Sequence, residues 1–275
     1  MKIPDSVNLS GAYKEEIMAD FRNSNVRAAP GARLDADIDQ GLRAYMLRVY
    51  NLMAMGLGIT GVAAYAIAMF ATTNDPASAV ATLRNGQMLT GLGAALYGSP
   101  LKWVVMLAPL GMVFFLSARL EKMSVASAQT AFWVFAGLMG VSLSSIFLVY
   151  TGASITQTFF VTAASFGALS LYGYTTKRDL SAMGSFLMMG LFGLIIAMVV
   201  NIFLQSSALQ FAVSAIGVLI FAGLTAYDTQ QIKEMYFEGD SDATAGRKAI
   251  MGALRLYLDF INLFTFLLQF MGNRN

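Results

Sequence analysis

Residues 209–233 read LQFAVSAIGVLIFAGLTAYDTQQIK, and the first nineteen of them carry no charged side chain. A helix of about 20 mostly apolar residues is long enough to cross the hydrocarbon core of a bilayer. The run therefore predicts a membrane-spanning helix. Its single acidic residue, Asp228, lies near one end of that helix, next to the polar residues that follow it.

The composition of the whole chain agrees with a membrane protein. Of its 275 residues, 57% are apolar and 12% are charged, whereas soluble proteins average about 45–50% and about 25%. This excludes a soluble enzyme, a disordered chain and a secreted disulfide scaffold. The chain contains no Cys and no His, which removes thiolate chemistry and the usual neutral-pH titrating group. A net charge of +2 gives no reason to expect a nucleic acid partner.

Six further apolar runs of suitable length accompany the first one. They lie at roughly 50–71, 103–118, 127–149, 155–174, 183–204 and 250–271. The predicted fold is an all-α polytopic membrane protein with seven transmembrane helices over residues 49–272, surrounded by lipid. Residues 1–48 are polar and are predicted to form a cytosolic tail. The long loop 72–102 is expected to lie along the membrane surface, with a short helix from Ala77 to Leu83.

The distribution of Lys and Arg predicts the orientation of the bundle. With the N-terminus in the cytoplasm, the cytoplasmic segments carry fourteen basic residues and the outer segments carry three. Basic residues accumulate on the cytoplasmic side of membrane proteins. Seven spans then place the C-terminus outside, in a multi-pass protein of a bacterial inner membrane.

Two acidic residues fall within the apolar runs, Asp228 in the sixth and Asp259 in the seventh. Carboxylates in a membrane are costly and mark functional sites. If Arg255 marks the cytosolic edge of the seventh span, both Asp residues lie at a similar depth. Two carboxyl groups that meet in a low dielectric share one proton, which would allow a pH response without His. Two simpler alternatives remain open, since Asp228 could pair with Lys233, and Asp259 with Arg255 one turn away.

The residues around these two Asp resemble a known signature. The stretches FAGLTAYDTQ at 221–230 and LYLDFINLF at 256–264 are similar to paired motifs of the Bax inhibitor family of membrane proteins. The stretch LYGSPLKW at 96–103 resembles the proteobacterial branch of that family. The resemblance extends over about residues 45–272.

The resemblance implies a bundle in which six helices surround a central seventh. It also implies a pH-sensitive calcium leak in which Asp228 and Asp259 hydrogen-bond to each other on the cytosolic side. Arg119, at the cytosolic end of the second span, matches a latch that binds one of them. Oxygen ligands suit calcium, so Asp228 and Asp259 are candidate calcium ligands as well as pH sensors. The chain departs from the family pattern at Arg255, where a small residue is common, and Arg255 is therefore a candidate modulator that would hold Asp259 ionised.

The sequence also allows functions other than a leak. A non-conducting regulator that associates with a membrane quality-control protease through the N-terminal tail is the main alternative. A secondary transporter is disfavoured because no inverted repeat is visible. An enzyme is not expected, because the chain shows no two-Asp protease motif of the Gly-Asp type and has no His for a Ser/His pair. No cofactor is expected, and calcium enters only as the permeant ion.

Overall fold

A computed structural model describes the main chain of residues 30–83 and 85–275, and side chains from residue 40 onward. Residues 1–29, which are part of the 1–48 tail proposed to meet a protease partner, and Arg84 lie outside the described residues. Residues 45–275 form one compact unit. Seven helices in the described part are long and apolar enough to cross a membrane, which confirms the predicted fold class.

The seven helices are separated by short connections, except for residues 72–100 between the first and the second. They are α1 (Pro30–Ala71), α2 (Leu101–Arg119), α3 (Val125–Leu143), α4 (Gly152–Thr175), α5 (Ser181–Leu204), α6 (Ser207–Glu234) and α7 (Asp242–Met271). A 3-10 turn at Leu120–Lys122 follows α2, and a helical turn at Ile146–Val149 follows α3.

Hydroxyl side chains define where four of the helices begin. Ser124, Thr151, Ser206 and Ser241 each accept a hydrogen bond from the backbone N–H three residues later, before α3, α4, α6 and α7. A side-chain oxygen at this position satisfies one of the N–H groups that a helix start leaves free. The starts of these spans are therefore determined by the local sequence.

Helix α7 is the central helix of the bundle. In its most apolar segment 67% of the residues are buried, against at most 39% in any other span. It packs against α6, α4 and α3. In α2 and α5 the corresponding shares are 11% and 6%, so that most of their surface faces outward. This distribution agrees with the predicted central seventh helix.

The loop after α1 forms a small sheet instead of the helix predicted for Ala77–Leu83, and that prediction is wrong. Strands β1 (Thr72–Thr73), β2 (Ala81–Thr82) and β3 (Met88–Leu89) form an antiparallel sheet with β3 in the centre. Two turns interrupt any helical run. The carboxylate of Asp75 accepts a hydrogen bond from the N–H of Ala77, and Gly86 adopts a positive φ of 86°, a conformation that glycine tolerates without steric cost.

The C-terminal residues bind the connection between α3 and α4. The N–H of Asn275 donates to the Val149 carbonyl (2.9 Å), and the N–H of Thr151 donates to the Asn273 carbonyl (3.1 Å). The N–H of Asn273 also donates to the hydroxyl of Ser154. We call this end of the bundle, which holds the sheet and these contacts, the sheet end. The opposite end, with the α2–α3, α4–α5 and α6–α7 connections, is the loop end.

Candidate functional site

Helices α6 and α7 bring Asp228 and Asp259 together. The two carboxyl groups approach each other closely enough to interact, so the structure brings together the two acidic residues that the sequence singled out. Asp228 precedes the last residue of α6, Glu234, by six residues, or about 9 Å along the helix axis. The pair therefore lies nearer the loop end than the sheet end.

The environment of the pair is largely closed to solvent. Asp259 is 4% exposed, and its Oδ2 atom has no hydrogen-bond donor among the described residues. Asp228 is half-buried. Two carboxylates held close together away from water repel each other, which disfavours the state in which both are charged. The geometry thus suits a pair that holds a single shared proton.

Arg255 supplies positive charge to this site. It lies one turn before Asp259 on α7, and its guanidinium acts electrostatically on both carboxyl groups. Its side chain is exposed. Within the described residues it forms no ion pair with either Asp, because the single ion pair found there joins Lys248 and Asp240. Arg255 therefore balances charge at a distance.

The structure does not bring Arg119 to the aspartate pair. Leu116 and Leu120 are buried against the bundle, whereas Arg119 is exposed at the end of α2. Consecutive helical residues differ by about 100° in direction, so burying Leu120 turns Arg119 away. In the described part of the chain, Arg119 makes no ion pair with Asp228 or Asp259, and the latch assigned to it stays a prediction.

The simpler pairing proposed for Asp228 is not found. The ammonium group of Lys233 donates to the Tyr174 carbonyl at 2.8 Å and lies 5.8 Å from the centre of the Tyr174 ring. Lys233 thereby connects the end of α6 to the end of α4. It is not the partner of Asp228, whose carboxyl group is near that of Asp259.

A chain of hydroxyl groups that the sequence analysis missed ends at Thr229, the residue after Asp228. The Tyr50 hydroxyl is 2.7 Å from that of Ser170, which is 2.9 Å from that of Thr229. Thr229 donates its own proton to the Thr225 carbonyl at 2.7 Å. The donors are thereby ordered from Tyr50 through Ser170 to Thr229. The signal in the sequence was the recurrence of Ser and Thr at spacings of four, as at Thr158 and Thr162 or Thr225 and Thr229, which places neighbouring members on the same helix face.

Gln230, within the recognised motif, has a structural role. Its buried side chain accepts a hydrogen bond from the Leu180 N–H and donates one to the Arg178 carbonyl, both at 2.8 Å. These bonds hold the α4–α5 connection against α6, two residues after Asp228. The motif thus combines a titratable group with the contact that positions its helix.

A resident calcium site would need more oxygen ligands than this pair offers. Protein calcium sites use six to eight oxygen atoms. No cluster of three or more acidic side chains occurs among the described residues. Asp228 and Asp259 alone can give only a weak, transient contact with an ion.

Comparison with known proteins agrees with the motif. The family model described as "Inhibitor of apoptosis-promoting Bax1" matches residues 42–275. "Uncharacterized protein RP147" of Rickettsia prowazekii is 49% identical over 236 residues, which are 86% of this chain and 92% of the relative. "Inner membrane protein YbhL" of Escherichia coli is 46% identical over 236 residues, 85% of this chain and 93% of the relative. A protein of Caulobacter vibrioides is 46% identical over 256 residues, 93% of this chain and 98% of its own length.

Most of the chain is covered by the family match, and the two motifs of that family meet in one site on α6 and α7. The chain belongs to the Bax inhibitor family of membrane proteins.

Proposed function

We propose that this protein is a pH-sensitive calcium leak of the bacterial inner membrane, gated by Asp228 and Asp259. The observation that carries the proposal is the close approach of the two carboxyl groups, one of which is almost fully buried. Adding or removing a shared proton changes the charge in a low-dielectric site and alters the attraction between the two groups. The two groups lie on α6 and on the central helix, so a change from attraction to repulsion drives these helices apart. Such a leak moves ions and catalyses no covalent change.

The distribution of basic residues supports a proposed orientation. The loop end carries most of the basic residues outside the N-terminal tail, for example Lys122, Lys177 and Lys248. The positive-inside rule places that end, and the N-terminus, in the cytoplasm and the C-terminus outside. The name of the relative "Inner membrane protein YbhL" supports the inner membrane as the location. The aspartate pair then senses cytoplasmic pH.

The test is calcium flux into proteoliposomes that contain an indicator dye, scanned across pH. Asp228→Asn and Asp259→Asn should each abolish the pH dependence, because an amide cannot gain or lose the shared proton. Asp242→Asn is the matched control, since Asp242 is an exposed acidic residue on the same helix as Asp259 and should keep the wild-type profile. A wild-type pH profile in the two site variants would refute gating by the pair. Wild-type flux equal to that of empty liposomes would refute the leak itself.

Two arginine variants separate the roles of the nearby cations. Arg255→Gln removes the charge that acts on both carboxyl groups, and it should move the pH midpoint of the flux. Arg119→Gln should leave the midpoint unchanged if the arrangement seen here governs gating. A shift with Arg119→Gln and none with Arg255→Gln would instead favour the latch predicted from the family resemblance.

A further inference from the structure

Helices α4 and α6 bury a row of hydroxyl groups that runs from one end of the bundle to the other. Each member is at most 7% exposed. The members on α4 are four or eight residues apart, along one i±4 ridge of the helix, and those on α6 are four or eleven apart. They are Ser154, Thr158, Thr162 and Ser170 on α4 and Ser214, Thr225 and Thr229 on α6. The two helices pack against each other and against α7. We call the interface of these three helices the hydroxyl seam.

The hydroxyl protons in the seam are directed back to their own helices. Thr162, Thr225 and Ser214 each donate to the carbonyl four residues earlier, at 2.7–2.8 Å. A hydroxyl group has one proton and two acceptor lone pairs, so these groups offer oxygen lone pairs to the interface. The apolar lengths of both helices, 152–175 and 207–232, contain no basic side chain that could donate to them. The seam is therefore a row of oxygen acceptors, which suits cations and water.

An aromatic contact interrupts the row on α4. Phe166 occupies the α4 position between Thr162 and Ser170 at the same spacing of four, and it is buried. Its ring meets that of Phe260 on α7 with centroids 5.4 Å apart and planes at 65°. Phe260 directly follows Asp259, so any movement of the aspartate on α7 moves this ring as well. Apolar constrictions close channels by excluding water.

Phe260 has space beside it into which it can move. It lines a cavity of about 320 Å³ that is also bordered by Thr60, Phe159 and Phe264. Close packing normally forbids displacement of a buried ring, but a ring next to such a cavity can shift without compressing its neighbours. The contact between Phe166 and Phe260 is thus a closure that can open.

We propose that the hydroxyl seam is the path of the cation, and that the contact between Phe166 and Phe260 is its constriction. This inference rests on the proposed leak function and names its route. No acidic side chain lies on α6 before Asp228 or on α7 after Asp259, so a cation in the seam meets neutral oxygens. Neutral ligands bind an ion weakly enough for it to leave, as conduction requires.

The natural absence of cysteine allows a direct test of accessibility. Thr162→Cys places a unique thiol in the seam, and Ala164→Cys places one at a similar depth on an exposed position of the same helix. A charged, membrane-impermeant methanethiosulfonate reagent should modify Thr162→Cys under conducting conditions and reduce its calcium flux. It should not modify Ala164→Cys, which faces lipid. Failure to modify Thr162→Cys while its flux is intact would overturn the route.

Flux measurements test the same route without labelling. Thr162→Val and Thr225→Val keep the side-chain shape and remove one oxygen, which should lower calcium flux by about 2- to 10-fold, as expected for the loss of one neutral polar contact. Thr156→Val is the control, because Thr156 is an exposed threonine of α4. Wild-type flux in both seam variants would contradict the proposal.

The constriction is tested by Phe166→Ala and the milder Phe166→Leu, which should both raise basal flux. Phe160→Ala is the control, since the Phe160 ring on α4 is 66% exposed. Unchanged flux in both Phe166 variants, measured in folded protein, would refute the constriction. Failure of the leak and failure of its route can be distinguished. Absence of wild-type flux overturns both the leak and the route. A pH-dependent flux that the seam variants leave unchanged overturns the route alone.

Discussion

Replacement of Gly173 by alanine probes the closest approach of α4 to α6. A Cβ atom built on Gly173 would lie 2.1 Å from the carbonyl oxygen of Ala226, two residues before Asp228. Ordinary carbon–oxygen contacts are about 3.3–3.6 Å, so the helices would have to separate by about 1.2 Å at this level. The obstacle is backbone and cannot rotate away. Overpacking of this kind destabilises a protein by about 1–3 kcal/mol.

Gly167→Ala is the matched control on the same helix, because its Cβ would meet no atom within 4 Å. Both changes alter helix propensity in the same way, so that contribution cancels between them. Equilibrium unfolding in mixed micelles should therefore show Gly173→Ala less stable than Gly167→Ala by about 1–3 kcal/mol. Equal free energies of unfolding would refute the close packing of α4 on α6 described here.

Three further perturbations test contacts at the loop end. Gln230→Leu leaves two main-chain groups of the α4–α5 connection without a hydrogen-bond partner and should lower the free energy of unfolding by about 2–4 kcal/mol. The control Gln231→Leu loses only a bond to an exposed carboxylate and should change the free energy of unfolding little. Equal effects of the two variants would argue against the role given to Gln230. The side chain and the backbone N–H of Ser181 donate hydrogen bonds that hold the pKa of Asp179 below its usual range. The start of α5 should therefore keep this support at neutral pH and lose it as pH falls through the lowered pKa. A carboxyl ¹³C titration with an ordinary midpoint would contradict this. Lys248→Met removes the ion pair between Lys248 and Asp240, in which the two side chains are 28% and 13% exposed. The variant should lower the free energy of unfolding by at most about 1 kcal/mol, and by less in 1 M salt. A loss that high salt leaves unchanged would show that charge is not the cause.

The parts of the fold that the sequence predicted are those that the lipid bilayer constrains. A bilayer requires that each span satisfy its own backbone hydrogen bonds, so apolar length alone identifies the seven helices. The loop after α1 has no such constraint. There the turn at Asp75 and the positive φ of Gly86 outweighed the apolar composition that suggested a helix. Predictions from composition fail where local turn chemistry decides the structure.

The aspartate pair was predictable for a related reason. Acidic residues within apolar spans are so costly that Asp228 and Asp259 stood out, and the depth argument that used Arg255 placed them together. The position of Arg119 was not predictable in this way. It depends on which face of α2 is buried, and α2 is apolar on all sides, so its sequence does not indicate the rotation that buries Leu116 and Leu120. The hydroxyl seam does not stand out in the sequence, because a neutral hydroxyl group costs little free energy inside an apolar helix.

The contacts of the C-terminal residues determine how the central helix can move. Three main-chain groups of residues 273–275 hold the sheet end of α7 to the connection between α3 and α4. The site at Asp259 lies twelve residues before Met271, or about 18 Å from that anchor. With one end held, the helix displacement in the proposed gating would be a swing about a fixed pivot, whose amplitude grows with distance from the sheet end. The Phe260 ring, next to Asp259, would travel with the moving arm of that lever.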